Sequence, residues 1–318
     1  MKLRPLGRSG LDIAPLVLGG NVFGWSVDEP TTFALLDAFV DAGGNLVDTA
    51  DGYSAWAPGN QGGESETLIG RWLAQGNGRR ERLLIATKVG KWARHKGLAP
   101  ATIQAACEAS LRRLGVESID LYFAHADDPA VPLADTLAAF GRLIEQGKVR
   151  AIGASNYSAP RLAAALATSS RDRLPRYEVL QPQYNLVERA AYEESLEEVA
   201  RSHALGVVGY YGLASGFLTG KYRSAEDLRR PGVRSPAAGK YLNGHGLRVL
   251  AALDDVARRL GATPAQVALA WLMARPGFTA PIASATSVAQ LEELIGATAL
   301  RLSAEDLQRL DQASTPAA

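Results

Sequence analysis

From Leu16 onward, short apolar runs alternate with stretches in which apolar residues recur every three to four positions. The runs predict buried strands and the periodic stretches predict amphipathic helices. Strands are predicted at Leu16–Gly20, Leu46–Thr49, Leu83–Val89, Ile119–Ala124, Val149–Ala154, Val179–Gln181, Val207–Tyr210 and Ala280–Ile282. Between them fall predicted helices at Thr31–Ala42, Glu64–Leu73, Ala101–Leu114, Leu133–Gln146, Ala159–Ala167 and Tyr192–Ala204, with Gly43, Gly115 and Gly147 as stop signals. After the seventh strand the pattern weakens into a long loop with only faint helical patches to about Lys240. Two helices follow, Leu242–Leu260 and Pro264–Ala274, the second opened by a proline suited to a first turn. The eighth strand leads to a helix near Val288–Leu294 and a last helix N-capped by Ser303. Ahead of the alternation, apolar flanks around Gly7 to Gly10 predict a β-hairpin whose second strand is Leu11–Ile13.

Eight strand–helix units in succession imply a closed parallel barrel, because handedness and crossover rules leave few other layouts. The expected fold class is α/β, a (β/α)8 TIM barrel with an N-terminal hairpin and extra helices before strand eight and at the C-terminus. No repeat or low-complexity linker interrupts the pattern, so residues 1–318 read as one domain. A hydrophobic fraction of 47% supplies a large core. A net charge of +1 gives no reason to expect nucleic acid or an anionic membrane as partner. No apolar run approaches the roughly 20 residues of a membrane span, and Met1 to Pro5 has no apolar signal core, so a cytoplasmic protein is expected. Cys107 has no cysteine to pair with and reads as a small packed side chain.

Chemistry gathers at the strand ends. The second strand delivers Asp48, with Tyr53 just past it; the third ends on Lys88 and the fourth on His125. In a parallel barrel these ends face one small region, where active sites sit. Any one of the four reads most simply as a strand cap, but four on three neighbouring strands do not. A phenol with an ordinary pKa near ~10 is a poor acid at neutral pH. A neighbouring ammonium, from Lys88, is expected to lower it, with Asp48 keeping Lys88 charged and oriented. His125 is placed to hydrogen-bond a substrate oxygen.

In identity, order and strand position, Asp48, Tyr53, Lys88 and His125 resemble the catalytic tetrad of the aldo-keto reductase superfamily, in the branch that includes the potassium-channel β subunits. The resemblance continues through Ser155-Asn156, Gln181, the run from Tyr210 to Tyr222, and the segment from Ser284 to Glu293. It spans residues 2 to about 300. It implies a hairpin that plugs the bottom of the barrel and a nicotinamide cofactor at the top. The cofactor contacts it implies are Gly20, Asp48, Ser155, Asn156, Gln181, Tyr210, Tyr211, Leu213, Ser215, Gly216, Lys221, Ser284, Thr286, Gln290 and Glu293. Tyr210 is the ring expected to stack on the nicotinamide, and the loop behind it the clamp on the pyrophosphate. The implied reaction is reduction of a small-molecule aldehyde or ketone, with Tyr53 as general acid. Oxidation of a sugar or alcohol, and a cofactor-sensing role like that of the channel subunits, are the alternatives.

Two departures bear on the cofactor. Tyr211-Gly212 replaces the Ser-Pro that many relatives carry. Ser284, Thr286 and Gln290 stand where many members place cations opposite a 2′-phosphate, which is best met by fixed positive charge. Lys221, Arg223, Arg229, Arg230 and Arg234 are the remaining cations on that side, so NADP(H) is expected with NAD(H) tolerated. Phe23, Trp25, Trp56 and Trp92 follow early strands and are candidate substrate-pocket walls. A short chain after the eighth barrel helix suggests a pocket open on that side. Other chemistries fit less well. Gly216 to Tyr222 has one residue too few for a phosphate-binding P-loop, and a tyrosine where its hydroxyl residue belongs. No Gly-x-Gly-x-x-Gly follows a strand, Gly153 to Tyr157 lacks the second glycine of a hydrolase elbow, and the histidines show no metal-ligand spacing.

Overall fold

A computed structural model describes residues 1–229 and 235–315. Eight parallel strands close into a barrel: β3 (Val17–Gly19), β4 (Leu46–Asp48), β5 (Leu84–Val89), β6 (Ile119–Ala124), β7 (Val149–Ser155), β8 (Val179–Gln181), β9 (Gly206–Gly209) and β10 (Ala280–Ala283), which pairs back onto β3. The helices are α1 (Glu29–Asp41), α2 (Glu64–Leu73), α3 (Arg79–Arg82), α4 (Pro100–Leu114), α5 (Leu133–Glu145), α6 (Ala159–Asp172), α7 (Glu197–Ser202), α8 (Ser235–Gly239), α9 (Gly244–Leu260), α10 (Pro264–Met273), α11 (Val288–Gly296) and α12 (Ala304–Ser314). A two-stranded hairpin, β1 (Arg4–Pro5) with β2 (Asp12–Ile13), precedes them. This is the (β/α)8 barrel expected from the pattern, with the hairpin and the additional helices in their expected places.

Helix ends follow local chemistry. Asp28 caps α1 by accepting from the Thr31 amide, Thr263 and Gln266 form a capping box on α10, and Ser303 with Asp306 forms another on α12. Gly115 ends α4 in the left-handed conformation.

The barrel interior sets the position of the functional residues. Val17, Leu46, Ala86, Leu121, Phe123, Ala151, Val179, Val208, Ala280 and Ile282 form one buried cluster, closed at its lower end by Leu6, Leu11 and Ile13 of the hairpin. Their strand neighbours, such as Val47, Ile85, Tyr122, Ile152, Leu180 and Val207, belong instead to the layer between barrel and helices. Side chains alternate faces with a period of two. One inward step above Leu46 is Asp48, above Ala86 is Lys88, above Phe123 is His125, above Val179 is Gln181, above Val208 is Tyr210 and above Ile282 is Ser284. The upper rim of the interior is therefore polar where the filling beneath it is apolar.

Several boundaries differ from the sequence pattern. Helix α6 continues through Thr168 and Ser169, which are buried, and stops only where Arg173 turns left-handed. The helix expected over Tyr192–Ala204 opens with a π turn at Tyr192–Leu196, whose two end residues are both buried; Tyr192 packs on Tyr184 with ring centroids 4.7 Å apart. Tyr210 lies past β9 and makes only an isolated bridge with Gln183. The loop after it contains 3₁₀ turns at Ala214–Thr219 and Asp227–Arg229 and the short α8. Arg230 and Arg234 lie outside the described residues.

Candidate active site

Lys88 is completely buried, and all three ammonium protons are used. It donates to Asp48 Oδ2 at 2.7 Å, to the Thr49 carbonyl at 2.7 Å and to the Tyr53 hydroxyl oxygen at 2.8 Å. The Tyr53 hydroxyl in turn donates to Asp48 Oδ2 at 3.3 Å. Gln181 Nε2 donates to the other oxygen, Asp48 Oδ1, at 2.8 Å. A hydrogen-bonded line continues around the rim. Ser155 donates to the Gln181 carbonyl, Asn156 Nδ2 donates to Ser155 Oγ and to the His125 carbonyl, and Tyr210 donates to Asn156 Oδ1 at 2.8 Å. The His125 ring stands 6.1 Å from that of Tyr53, centroid to centroid.

The charge states follow from burial. Burial pulls the Lys88 ammonium down from the usual lysine range, against the raising effect of Asp48. Burial and then the Asp48 carboxylate push the Tyr53 phenol well above its ordinary value. This corrects the expectation that Lys88 lowers it: in the free protein the phenol stays protonated at neutral pH. His125 is held well below the usual histidine range by burial and then by Lys88 and Lys91. Its imidazole is neutral, and its Nδ1 has no hydrogen-bond partner among the described residues.

The backbone is strained at the same rim. Of eight non-glycine residues described with positive φ, five (Ser54, Asn156, Tyr211, Ala214 and Ser215) follow the C-terminal ends of barrel strands. Such conformations cost on the order of 1–3 kcal/mol each and concentrate where ligands are held. Gly216, at φ 89°, extends the left-handed run begun at Ala214 and Ser215. Ser284 donates to Asn21 Oδ1, and Thr286 donates to Gln290 Oε1 through both its amide and its hydroxyl. A polar rim, a partly exposed Tyr210 ring and a strained turn beside it fit an elongated polar ligand with a flat end.

A sequence profile of the aldo/keto reductase family matches residues 15–315. The chain belongs to the aldo/keto reductase family. It is 36% identical over 319 residues to the uncharacterized oxidoreductase YrpG of Bacillus subtilis, covering 98% of this chain and 95% of that protein. It is 32% identical over 339 residues to protein tas of Escherichia coli, covering 98% and 97% of the two. A putative voltage-gated potassium channel subunit beta of Schizosaccharomyces pombe is 33% identical over 325 residues, covering 97% and 92%. Membership implies NAD(P)H-dependent oxidoreductase chemistry on a small molecule.

The structure of this aldo/keto reductase redraws parts of the candidate list. Phe23 is fully buried in the outer core. Trp92 is also buried: its indole donates to the Gln61 carbonyl, and its ring lies where a Cβ on Gly52 or Gly62 would fall. Aromatic loop residues carry no face signal in sequence, which is why these two were not separable from the others. Trp25 and Trp56 remain, in an edge-to-face pair 5.5 Å apart, with Trp56 51% exposed and 5.9 Å from the Tyr53 ring. Tyr211, 52% exposed, meets Tyr210 edge-on, and its carbonyl is held by Asn185 Nδ2. Gly20 is buried, and a Cβ there would meet Ser65 Oγ at 3.0 Å and the Asp48 carbonyl at 3.2 Å, so packing alone explains the glycine. Glu293 accepts from the Thr263 hydroxyl and serves the junction of α10 and α11. Arg223 is tied bidentately to Asp254 and so is not a free cation. Lys221 rests with Nζ 5.0 Å from the Tyr222 ring centre and has no ion pair among the described residues. Leu213 supplies the carbonyl that receives the Gly216 and Leu218 amides.

One acidic residue beside the site escaped the sequence reading. Asp51 is fully buried, yet neither carboxylate oxygen has a hydrogen-bond partner among the described residues. Burial and then the neighbouring Glu66 charge push it up to about 7. The folded chain therefore keeps a proton that an unfolded aspartate loses near ~3.9. The stability this confers is complete below the unfolded value and is lost as pH rises to about 7, by on the order of 4 kcal/mol. Asp51→Asn is expected to remove this component, so urea unfolding at pH ~5 and ~8 should show a smaller alkaline loss in the variant than in the parent. Equal losses in both would contradict it.

Proposed function

We propose that the protein reduces an aldehyde or ketone to the alcohol with NADPH, tolerating NADH. The observation that carries this is the direct contact of Lys88, Asp48 and the protonated Tyr53 hydroxyl at the mouth of the barrel. When bound, the cofactor supplies the hydride to the carbonyl carbon. Tyr53 delivers the proton to the carbonyl oxygen, and its raised pKa keeps that proton available across the neutral range. Lys88, hydrogen-bonded to the phenol oxygen, stabilises the phenolate left behind. Asp48 orients Lys88, and Gln181 orients Asp48. Neutral His125 donates a hydrogen bond to the carbonyl oxygen and fixes its approach. Trp25, Trp56 and Tyr211 wall the substrate side, which suits a flat or apolar carbonyl.

Ser155, Asn156 and Gln181 would hold the carboxamide, Tyr210 the ring face, and the turn at Leu213–Gly216 the pyrophosphate, a reading supported by the hydrogen-bonded line from Gln181 to Tyr210 and the left-handed run after it. With Arg223 engaged by Asp254, Lys221 is the cation assigned to the 2′-phosphate. Lys221→Ala is expected to weaken NADPH binding about tenfold and to leave NADH binding within about twofold, read by fluorescence titration. Equal losses for both cofactors would move the 2′-phosphate site elsewhere. The activity itself is tested by the loss of reduced-nicotinamide absorbance when nitrobenzaldehyde is added to enzyme and NADPH. A second reading, cofactor sensing with slow turnover, is favoured by the similarity to the Schizosaccharomyces pombe channel subunit. It predicts tight NADPH binding with turnover slower than cofactor exchange.

A further inference from the structure

Past the ends of β8 and β9 the two chains pair for one step more. The Tyr210 amide donates to the Pro182 carbonyl at 2.9 Å, and the Tyr184 amide donates to the Tyr210 carbonyl at 3.3 Å. One residue later the backbone leaves the ladder, because Tyr211 turns left-handed at φ 59°. A side chain takes over there. Asn185, fully buried on the turn after β8, donates from Nδ2 to the Tyr211 carbonyl at 3.1 Å. Its Oδ1 accepts from the Val187 and Glu188 amides, each at 3.0 Å, and these two donors fix which end of the side chain is oxygen.

The Tyr211 conformation needs a hold. Left-handed backbone is disfavoured for a side chain of this size, and Ala214, Ser215 and Gly216 follow it into the same region. The Tyr211 ring is half exposed, so its packing does little to impose the turn. Its carbonyl instead receives two donors, the Ala214 amide at 2.7 Å from within the loop and Asn185 from outside it. An asparagine kept only for its own turn would be replaceable, since aspartate accepts the same two amide bonds. What aspartate lacks is the donor end. Besides Tyr211, that end meets only the edge of Glu188 Oε2, at 3.5 Å, and Glu188 already accepts from Gln183, Lys240 and Tyr241. Tyr211 is therefore the contact that calls for an amide. We propose that Asn185 is a positioning residue for the cofactor: it holds Tyr211 left-handed, and so sets the Tyr210 ring before that turn and residues 213–216 after it. The far end of the Tyr210 ring is fixed separately, by its hydroxyl on Asn156. This role rests on the proposed placing of the cofactor against Tyr210 and residues 213–216.

The test is fluorescence titration of the full chain with NADPH and with NADH, which needs no turnover. Asn185→Asp keeps both turn contacts and loses the donor, and it is expected to weaken both cofactors alike, about tenfold. That factor corresponds to about 1.4 kcal/mol, the size of the usual penalty on one left-handed residue. Tyr211→Gly puts at that position a residue for which the conformation costs little. In that background Asn185→Asp is expected to change binding by no more than about twofold, whereas a side chain serving only its own turn would cost the same in both. If aspartate beside Glu188 prevents folding, Asn185→Ala adds no charge and is read in the same two backgrounds. Binding within about twofold of the parent, or equal losses with and without Tyr211→Gly, would overturn the role of Asn185. Tyr210→Ala tells this apart from a misplaced cofactor. Unchanged binding in Tyr210→Ala would overturn the placing and the role together; weakened binding there, with none in the Asn185 variant, would overturn the role alone.

Discussion

Tyr53→Phe is expected to lower kcat for carbonyl reduction about 10³-fold while NADPH affinity stays within about twofold. The variant keeps the ring that packs beside Trp56 and His125 and removes only the hydroxyl that meets Lys88 and Asp48. A thousandfold loss corresponds to about 4 kcal/mol of transition-state stabilisation, more than a rearranged hydrogen bond normally contributes. Parallel kinetics and cofactor titration separate the two effects. Turnover retained within tenfold would remove Tyr53 as the proton donor.

Lys88→Met is expected to be nearly as damaging, with kcat down about 10²- to 10³-fold, and it should also destabilise the fold by about 3–5 kcal/mol. The reason is the company Lys88 keeps. Its ammonium is the charge that balances Asp48, which is itself buried and, among the described residues, retains only Gln181 and Tyr53 as donors once the lysine is gone. The phenolate left after proton transfer would also face Asp48 with no cation between them. Lys88→Met combined with Asp48→Leu removes both charges, so the pair should recover much of the lost stability and none of the activity. Denaturant midpoints and kcat measured on all three variants check this. Recovery of activity in the double variant would mean that Lys88 acts through stability alone.

The barrel was legible because its strands and helices differ in period, and that difference depends only on side-chain direction. The convergence of Asp48, Lys88 and His125 was legible for the same reason: each follows an inward apolar residue by two positions. Tyr53, beyond its strand, needed the turn at Ala50–Gly52 to bring it back. Loop residues gave no such guide. Nothing in the local pattern separates buried Phe23 and Trp92 from Trp25 and Trp56, since their environments are set by other segments. Arg223 resembled a free cation because Asp254 lies 31 positions away. Asp51 carried no signal in the sequence, because its burial arises only when α2, α4 and β6 close around it. The sign of the Tyr53 shift was missed in the same way: proximity to Lys88 was readable, but the depth of burial was not.

The most direct measurement follows deuterium from NADPH, labelled at both transferable positions of the nicotinamide ring, into the product of nitrobenzaldehyde reduction, read by mass spectrometry. The account predicts nitrobenzyl alcohol carrying one deuterium on its carbinol carbon from the unsubstituted enzyme, and almost none formed by Tyr53→Phe. Alcohol without deuterium, or no alcohol while NADPH binds tightly, would contradict hydride reduction of a carbonyl at this site.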